Sequence, residues 1–436
     1  MGPNDWFEMH GFSKNPFSNP SAEAEEQDTD FNSKDFFLEP PYFSEIVDNP
    51  RKPISSIIFG TRGDGKSFSF NMTKKKLQEM KFAKILIVEY IKFSENERVL
   101  DDEFLKDITF EFHINQIINL CLGKFLEELA INPASIENLS PDMKDTLEWF
   151  VDQYQYDDLL DKIHNKQEND REHKFTELEK REVLKSSFAA GSYDYGARLI
   201  NRAINFTRKK KFSIYRIVGK KNDLENLSYL DLLIKLRDLI RASEYDSIYI
   251  LIDRLDDEGL ASLSHTQRSE FIKPLITSTN YLELAFVATK MFVPIQIKMI
   301  IDTGIRTDRI NIINLEWDEA RLRELLERRL SAFSNKKFTS MRELIEIDYD
   351  YFMNNVLYYS ANNPRNLFRI ILGIISELCN NLPLQDKITE AAFKKGIRKF
   401  YNKRLEEDDS ITYLNRLKNT FLDYNERNIY VIDQYM

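Results

Sequence analysis

No stretch of this chain approaches the roughly 20 consecutive apolar residues that a membrane-spanning helix needs, and residues 1–19 carry no basic head followed by an apolar stretch. Both absences lead to the expectation of a cytoplasmic protein with no membrane partner. Cysteine is almost missing. Cys121 and Cys379 are the only two, they lie far apart inside apolar helical patterns, and neither a disulfide framework nor a thiolate metal site is expected. The histidines His10, His113, His164, His173 and His265 are scattered, with no Cys, Asp or Glu set at metal-ligand spacing. Positive charge is also short: 61 Lys and Arg against 71 Asp and Glu give a net charge of −10 and an isoelectric point near 5.3. That balance excludes a chain built as a general polyanion binder and leaves only local basic patches.

The 436 residues, 42% hydrophobic and 30% charged, are ordinary for a globular protein and too many for one compact core. Residues 1–40 are polar and turn-rich, with Asn15-Pro16-Phe17, Asn19-Pro20 and an acidic run from Glu23 to Asp30, and they read as an arm. An α/β pattern then begins: strand Ile54–Phe59, helix Lys66–Met80 and the continuous apolar strand Lys84–Ile91, a pattern that suits buried parallel strands. Between residues 96 and 244 charged helix dominates, which reads as a long helical insertion. Strand character returns at Ser247–Asp253, Leu282–Thr289 and Ile310–Leu315, and from Trp317 onward only helices are expected. The expected division is an arm (1–40), an α/β core (41–95 with 245–316), an insertion (96–244) and a helical lid with the C-terminal region (317–436).

One motif outweighs the rest. Gly60-Thr61-Arg62-Gly63-Asp64-Gly65-Lys66-Ser67 matches G-x-x-x-x-G-K-[ST] in full and joins an apolar strand to a helix-forming stretch that runs on through Phe68. The glycines let consecutive backbone N–H groups converge on phosphate oxygens, Lys66 supplies a point charge, and the Ser67 hydroxyl is a ligand for Mg²⁺. The expected ligands are therefore ATP and Mg²⁺; no Asn/Thr-Lys-x-Asp guanine reader follows.

A phosphate loop gives the metal one hydroxyl, so a second oxygen donor is sought at the end of another apolar strand, and Asp253 fits. Asp256, with Asp257 as its rival, could orient or deprotonate an attacking water, or the two could simply cap a solvated loop. Thr289 closes the next expected strand, where a small hydroxyl could reach the γ-phosphate. Arg365 stands at the start of a helix behind Asn363-Pro364, placed either to reach a phosphate from the lid or to salt-bridge a helix end. Two compact basic stretches, Arg208–Lys211 and Lys394–Arg404, are the candidate contacts for nucleic acid, although Arg208–Lys211 reads more readily as a solvated loop.

Asn15-Pro16-Phe17, Gly60–Ser67, the strand and acids Ile248–Asp257, the Trp317–Leu330 helix and Asn363-Pro364-Arg365 together resemble the STAND and origin-recognition branches of the AAA+-related P-loop ATPases of prokaryotic type. The resemblance implies a three-layer α/β/α sandwich followed by a helical lid, with Asp253 as the Walker B acid, Thr289 as sensor 1 and Arg365 as sensor 2. It also implies an ATP-driven switch that self-associates or engages a separate effector, a role that prokaryotic relatives use in signalling or in defence against invading genetic elements. Two departures stand out. Arg254 occupies the position where the catalytic acid commonly follows the metal acid, and Asp256-Asp257 stand where Asp-Glu is common, so slow or partner-stimulated hydrolysis is expected. A nucleic-acid-handling ATPase of the loader or transposition type, or a scaffold that binds nucleotide without turnover, is the alternative.

Overall fold

The structure is a computed structural model, and it describes residues 2–18, 38–40, 42–91, 93, 108–131, 139–154, 224–255, 260, 263–301, 306, 308–380, 386–407, 410–424 and 429. Its centre is a five-stranded sheet, every strand parallel: β1 (Ser56–Gly60), β2 (Ile85–Tyr90), β3 (Ser247–Ile252), β4 (Val287–Pro294) and β5 (Asn311–Asn314), in the spatial order β2-β3-β4-β1-β5. The three inner strands β1, β3 and β4 are buried along their whole lengths. Continuous apolar runs of this kind require cover on both faces. At the edge strand β2 only Leu86, Val88 and Tyr90 are buried, so the alternation of a half-covered strand appears there instead.

Helices supply the cover. On one face α2 (Phe43–Val47) and α3 (Lys66–Glu79) pack on Ile58, Tyr249, Leu251, Ala288, Phe292 and Ile313. On the other face α4 (Phe110–Ile131), α5 (Pro141–Gln153), α6 (Tyr229–Ala242), α7 (His265–Ile276), α8 (Thr279–Leu282) and α9 (Ile295–Ile301) share one core with Phe59, Val88, Ile250 and Met291. The result is α/β with three layers. Helices α4 and α6 belong to the segment expected to be an insertion, yet Ile114, Ile118, Leu236 and Ile240 on them are at most 1% exposed within the core of the sheet. Residues 155–223 of that segment, with Arg208–Lys211 among them, lie outside the described residues.

The expected strand Leu282–Thr289 is displaced. Tyr281 and Leu282 end the short helix α8, and β4 starts at Val287 and continues through Lys290 to Pro294. A lysine mid-strand argues against a buried strand when only sequence is considered. Here the Lys290 ammonium is fully buried and donates to Asp48 Oδ2 at 2.8 Å, the Ile54 carbonyl at 2.6 Å and Ser56 Oγ at 3.2 Å, three acceptors for three N–H groups.

A second core belongs to the lid. Helices α10 (Glu319–Phe333), α11 (Tyr349–Ser360), α12 (Pro364–Cys379), α13 (Glu390–Leu405) and α14 (Ser410–Tyr424) surround Leu330, Val356, Ile371, Ile375 and Phe393. The expected N-terminal arm is corrected here for residues 2–18: α1 (Pro3–Met9) and the turn after it insert Trp6, Phe7, Phe12 and Phe17, at most 3% exposed, into that core. Arg329 of α10 donates through Nε and Nη2 to the Pro16 carbonyl at 2.9 and 2.7 Å and lies over the Phe368 ring, so Asn15-Pro16-Phe17 is tied down by a buried guanidinium. Polar composition hid these four anchoring aromatics. No helix among the described residues is long and apolar enough to cross a membrane.

Candidate functional site

Residues 61–65 join β1 to α3 at the C-terminal edge of the sheet, the edge where parallel α/β sheets carry their ligands. Gly63 and Gly65 have φ of 95° and 91°, left-handed values that favour glycine. A side chain at Gly63 would stand 2.7 Å from both Arg365 Cβ and Asn363 Oδ1, whereas a Cβ at Gly65 would meet no atom within 4 Å. Among the described residues the backbone N–H groups of Gly63, Gly65 and Ser67 meet no acceptor. These three amides run from the loop through the N-cap into the first turn of α3, and with open space at Gly65 they form a cradle suited to an anion. Lys66 is 6% exposed, and its Nζ donates to the carbonyls of Gly60 (3.4 Å) and Thr61 (3.3 Å), the base of the same loop.

Asp64 is the hub of the loop. It is 3% exposed, and each of its oxygens accepts two hydrogen bonds. Oδ2 takes the backbone N–H and the hydroxyl of Thr61, both at 2.7 Å, while Oδ1 takes Asn363 Nδ2 and Arg416 Nη1, both at 2.8 Å. The Asp64 carbonyl accepts from Trp317 Nε1 at 3.0 Å. Asn363 also donates to the Arg62 carbonyl at 3.1 Å, and Arg416 also bonds Thr61 Oγ1 and the Asn362 carbonyl. The lid thus grips the loop through residues before α10, before α12 and on α14. Phe68, on the first turn of α3, packs against both the lid core and the core under the sheet.

The expected site residues divide into three groups. Gly60 to Phe68 form one loop and helix start, and Arg365, second residue of α12, is brought against that loop at Gly63. Asp253 follows β3 directly and is 2% exposed; Ile252 is in register with Met291 of β4, and Met291 with Ile57 of β1. It therefore follows the C-terminal end of β3 level with Ile58, two residues before β1 ends at Gly60 and two strand spacings, or roughly 10 Å, across the sheet. Arg254 after it has φ of 69°, a strained value for a non-glycine residue. Thr289 is not brought to this edge: it is the third residue of an eight-residue strand, fully buried, and its hydroxyl donates to Tyr281 OH at 2.7 Å. The strand runs five residues past it, so the first polar side chain beyond the C-terminal end of β4 is Gln296. Asp256 and Asp257 lie outside the described residues.

Sequence reasoning missed Asn363, Trp317 and Arg416 as loop contacts. Asn363 carried a partial signal as the cap before Pro364. Nothing local marks Arg416, 352 residues away from Asp64 in the chain.

Among the described residues no group of three or more His, Cys, Asp or Glu could hold a metal ion alone. A magnesium ion on a phosphate loop takes only one or two protein oxygens and fills its octahedron with phosphate and water. The Ser67 hydroxyl and the buried Asp253 carboxylate are hard donors of the right kind. On α13 the basic stretch Lys394–Arg404 is largely spent on internal pairs: Lys394 with Glu390, Lys395 and Lys399 with Glu377, and Arg404 with Glu407. Four of its six cations are engaged in this way, which leaves little free charge for phosphate contacts. No protein-family model matches the chain, and no curated protein matches its sequence.

Proposed function

We propose that this chain is a P-loop nucleotide-binding protein that takes Mg-ATP at Gly60–Phe68 and converts nucleotide state into movement of its helical lid, in the manner of the AAA+-related switches its motifs resemble. One observation carries the proposal: the amides of Gly63, Gly65 and Ser67 meet no acceptor among the described residues where β1 of an all-parallel sheet leads into α3, and buried Asp253 ends β3 two strands away. The phosphates lie on those amides. Lys66 exchanges the Gly60 and Thr61 carbonyls for phosphate oxygens, an ammonium trading weak neutral partners for charged ones. Ser67 and Asp253 are the residues that would hold Mg²⁺, which when bound neutralises phosphate charge. Arg365, packed at Gly63, faces the loop from the lid and makes the fit of the lid sensitive to what the loop contains.

With Arg254 following Asp253, turnover is slow or depends on a partner, and self-association or a separate effector protein reads out the closed lid. Titration calorimetry of the full chain with Mg-ATP tests the proposal. Micromolar binding is expected, with Lys66→Ala weakening it at least about tenfold, or roughly 1.4 kcal/mol. An unaltered chain that gives no heat with ATP or any other nucleoside triphosphate sinks it.

A further inference from the structure

A carboxylate in a phosphate loop is an electrostatic liability, because a fixed negative charge beside a polyphosphate repels it. Asp64 is such a carboxylate, and its side chain is 3% exposed. Its one cationic partner among the described residues is Arg416, which reaches it from α14 with a side chain 25% exposed. The same guanidinium bonds Thr61 Oγ1 and, at 3.0 Å, the Asn362 carbonyl. That carbonyl is presented by a strained turn: Ala361 and Asn362 have φ of 52° and 53°, two successive left-handed non-glycine residues, and Asn362 Oδ1 is buried without a hydrogen bond among the described residues. Helix α14 is itself anchored to the lid, with Tyr413 2% exposed and its hydroxyl donating to the Tyr359 carbonyl at 2.9 Å. Three segments distant in the chain, 61–64, 361–363 and 416, therefore meet at one carboxylate.

We propose that Arg416 is a positioning residue that cancels the charge of Asp64 and clasps α14 to the phosphate loop, so that the readiness of the loop for a polyphosphate depends on where α14 sits. Any displacement of α14 exposes the loop to an uncompensated buried charge and removes the Arg416 contact to Thr61 Oγ1. Asp64 then opposes the ligand that the neighbouring amides attract. The affinity part of this inference rests on the nucleotide reading above; the clasp itself does not.

The test uses the full chain and a charge-removal logic that a merely structural arginine would not obey. Mg-ATP affinity by calorimetry should fall about tenfold in Arg416→Ala, hold or improve in Asp64→Asn, and return to within about threefold of the parent when the two changes are combined. Arg416→Gln, gentler on folding, should follow Arg416→Ala. Affinity unchanged in both arginine variants, or no recovery in the double variant, overturns the charge role. In the nucleotide-free chain, amide hydrogen exchange over residues 60–67 should quicken in either arginine variant. Unchanged exchange overturns the clasp whatever the titrations give. Quickened exchange in a chain whose parent ignores ATP keeps the clasp and discards the nucleotide reading instead.

Discussion

At the scale of single residues, the described core holds titratable side chains whose burial is offset by hydrogen bonds, His113 and Lys290 among them. His113 is fully buried on α4, its Nε2–H donating to the Phe271 carbonyl at 2.7 Å and its Nδ1 accepting from Tyr90 OH at 3.0 Å. Burial lowers its pKa from 6.5 to about 4, against a smaller opposing pull from the Phe271 carbonyl. Because the folded chain resists protonation that the unfolded chain accepts, the contribution to stability is present above pH 6.5 and is lost as pH falls toward 4. The full effect amounts to roughly 3 kcal/mol. Urea unfolding at pH 7 and near pH 4.5 should show His113→Gln losing less stability between the two than the parent; equal losses would contradict the assignment. Lys290 is the cationic counterpart. Burial draws its pKa below the ordinary lysine value while Asp48 pulls it back up, and Tyr249, whose hydroxyl donates to the same carboxylate, has its own pKa raised, by burial first and by Asp48 second. Replacing only one member of such a buried pair costs far more than replacing both, since the survivor keeps its desolvation penalty.

At the scale of elements, each helix of the lid is built from rules visible along its own stretch. Asp318, Asp348, Asn363 and Thr389 cap α10, α11, α12 and α13, each accepting from a backbone N–H three residues on. On α12 the buried set Leu367, Ile370, Ile371, Ile374, Ile375 and Leu378 repeats at helical spacing. How α12 and α13 meet is a different matter. A Cβ at Gly396 on α13 would lie 2.7 Å from Ile374 Cα and 2.9 Å from Ile374 N, so the two backbones approach closer than any side chain permits. Gly396→Ala sets two effects against each other: about 0.5–1 kcal/mol gained from helix propensity and about 1–3 kcal/mol lost to overpacking. The clash involves backbone and wins. Thermal unfolding should show Gly396→Ala melting below the parent; a rise in melting temperature would mean that the helices separate freely.

At the scale of the whole molecule, three hydrophobic cores, one on each face of the sheet and one in the lid, are joined among the described residues by side chains around the phosphate loop. Phe68 touches the lid core and the core under the sheet; Trp317 hydrogen-bonds the Asp64 carbonyl and packs on the lid; Arg416 and Asn363 complete the grip. Phe68 is the residue that packs into the cores on both sides of that junction among the described residues. Phe68→Ala should cost about 2 kcal/mol at the junction and widen or split the calorimetric transition, because each core then melts on its own. A single transition as sharp as that of the parent would show that the cores are coupled elsewhere.

The strand–loop–helix around Gly60–Ser67, the apolar runs of β1, β2 and β3, and the helical character from Trp317 onward were all legible in the chain itself, because backbone curvature at glycine, hydrophobic period and cap chemistry act over a handful of residues. Tertiary contact alone decided the rest. Lys290 could lie inside a strand only once Asp48, 242 residues away, met its charge. Trp6, Phe7, Phe12 and Phe17 became core only when α10 and α12 supplied a surface for them. Thr289 was turned from the site because β4 continues past it to Pro294, paired with β1 up to Gly60. Asp64, read beforehand only as one of the cradle residues, became a junction because Asn363 and Arg416 arrived from elsewhere in the chain. Local order is written in short-range sterics and periodicity; the pairing of buried charges is not, because its energy depends on which distant groups share the same low-dielectric space.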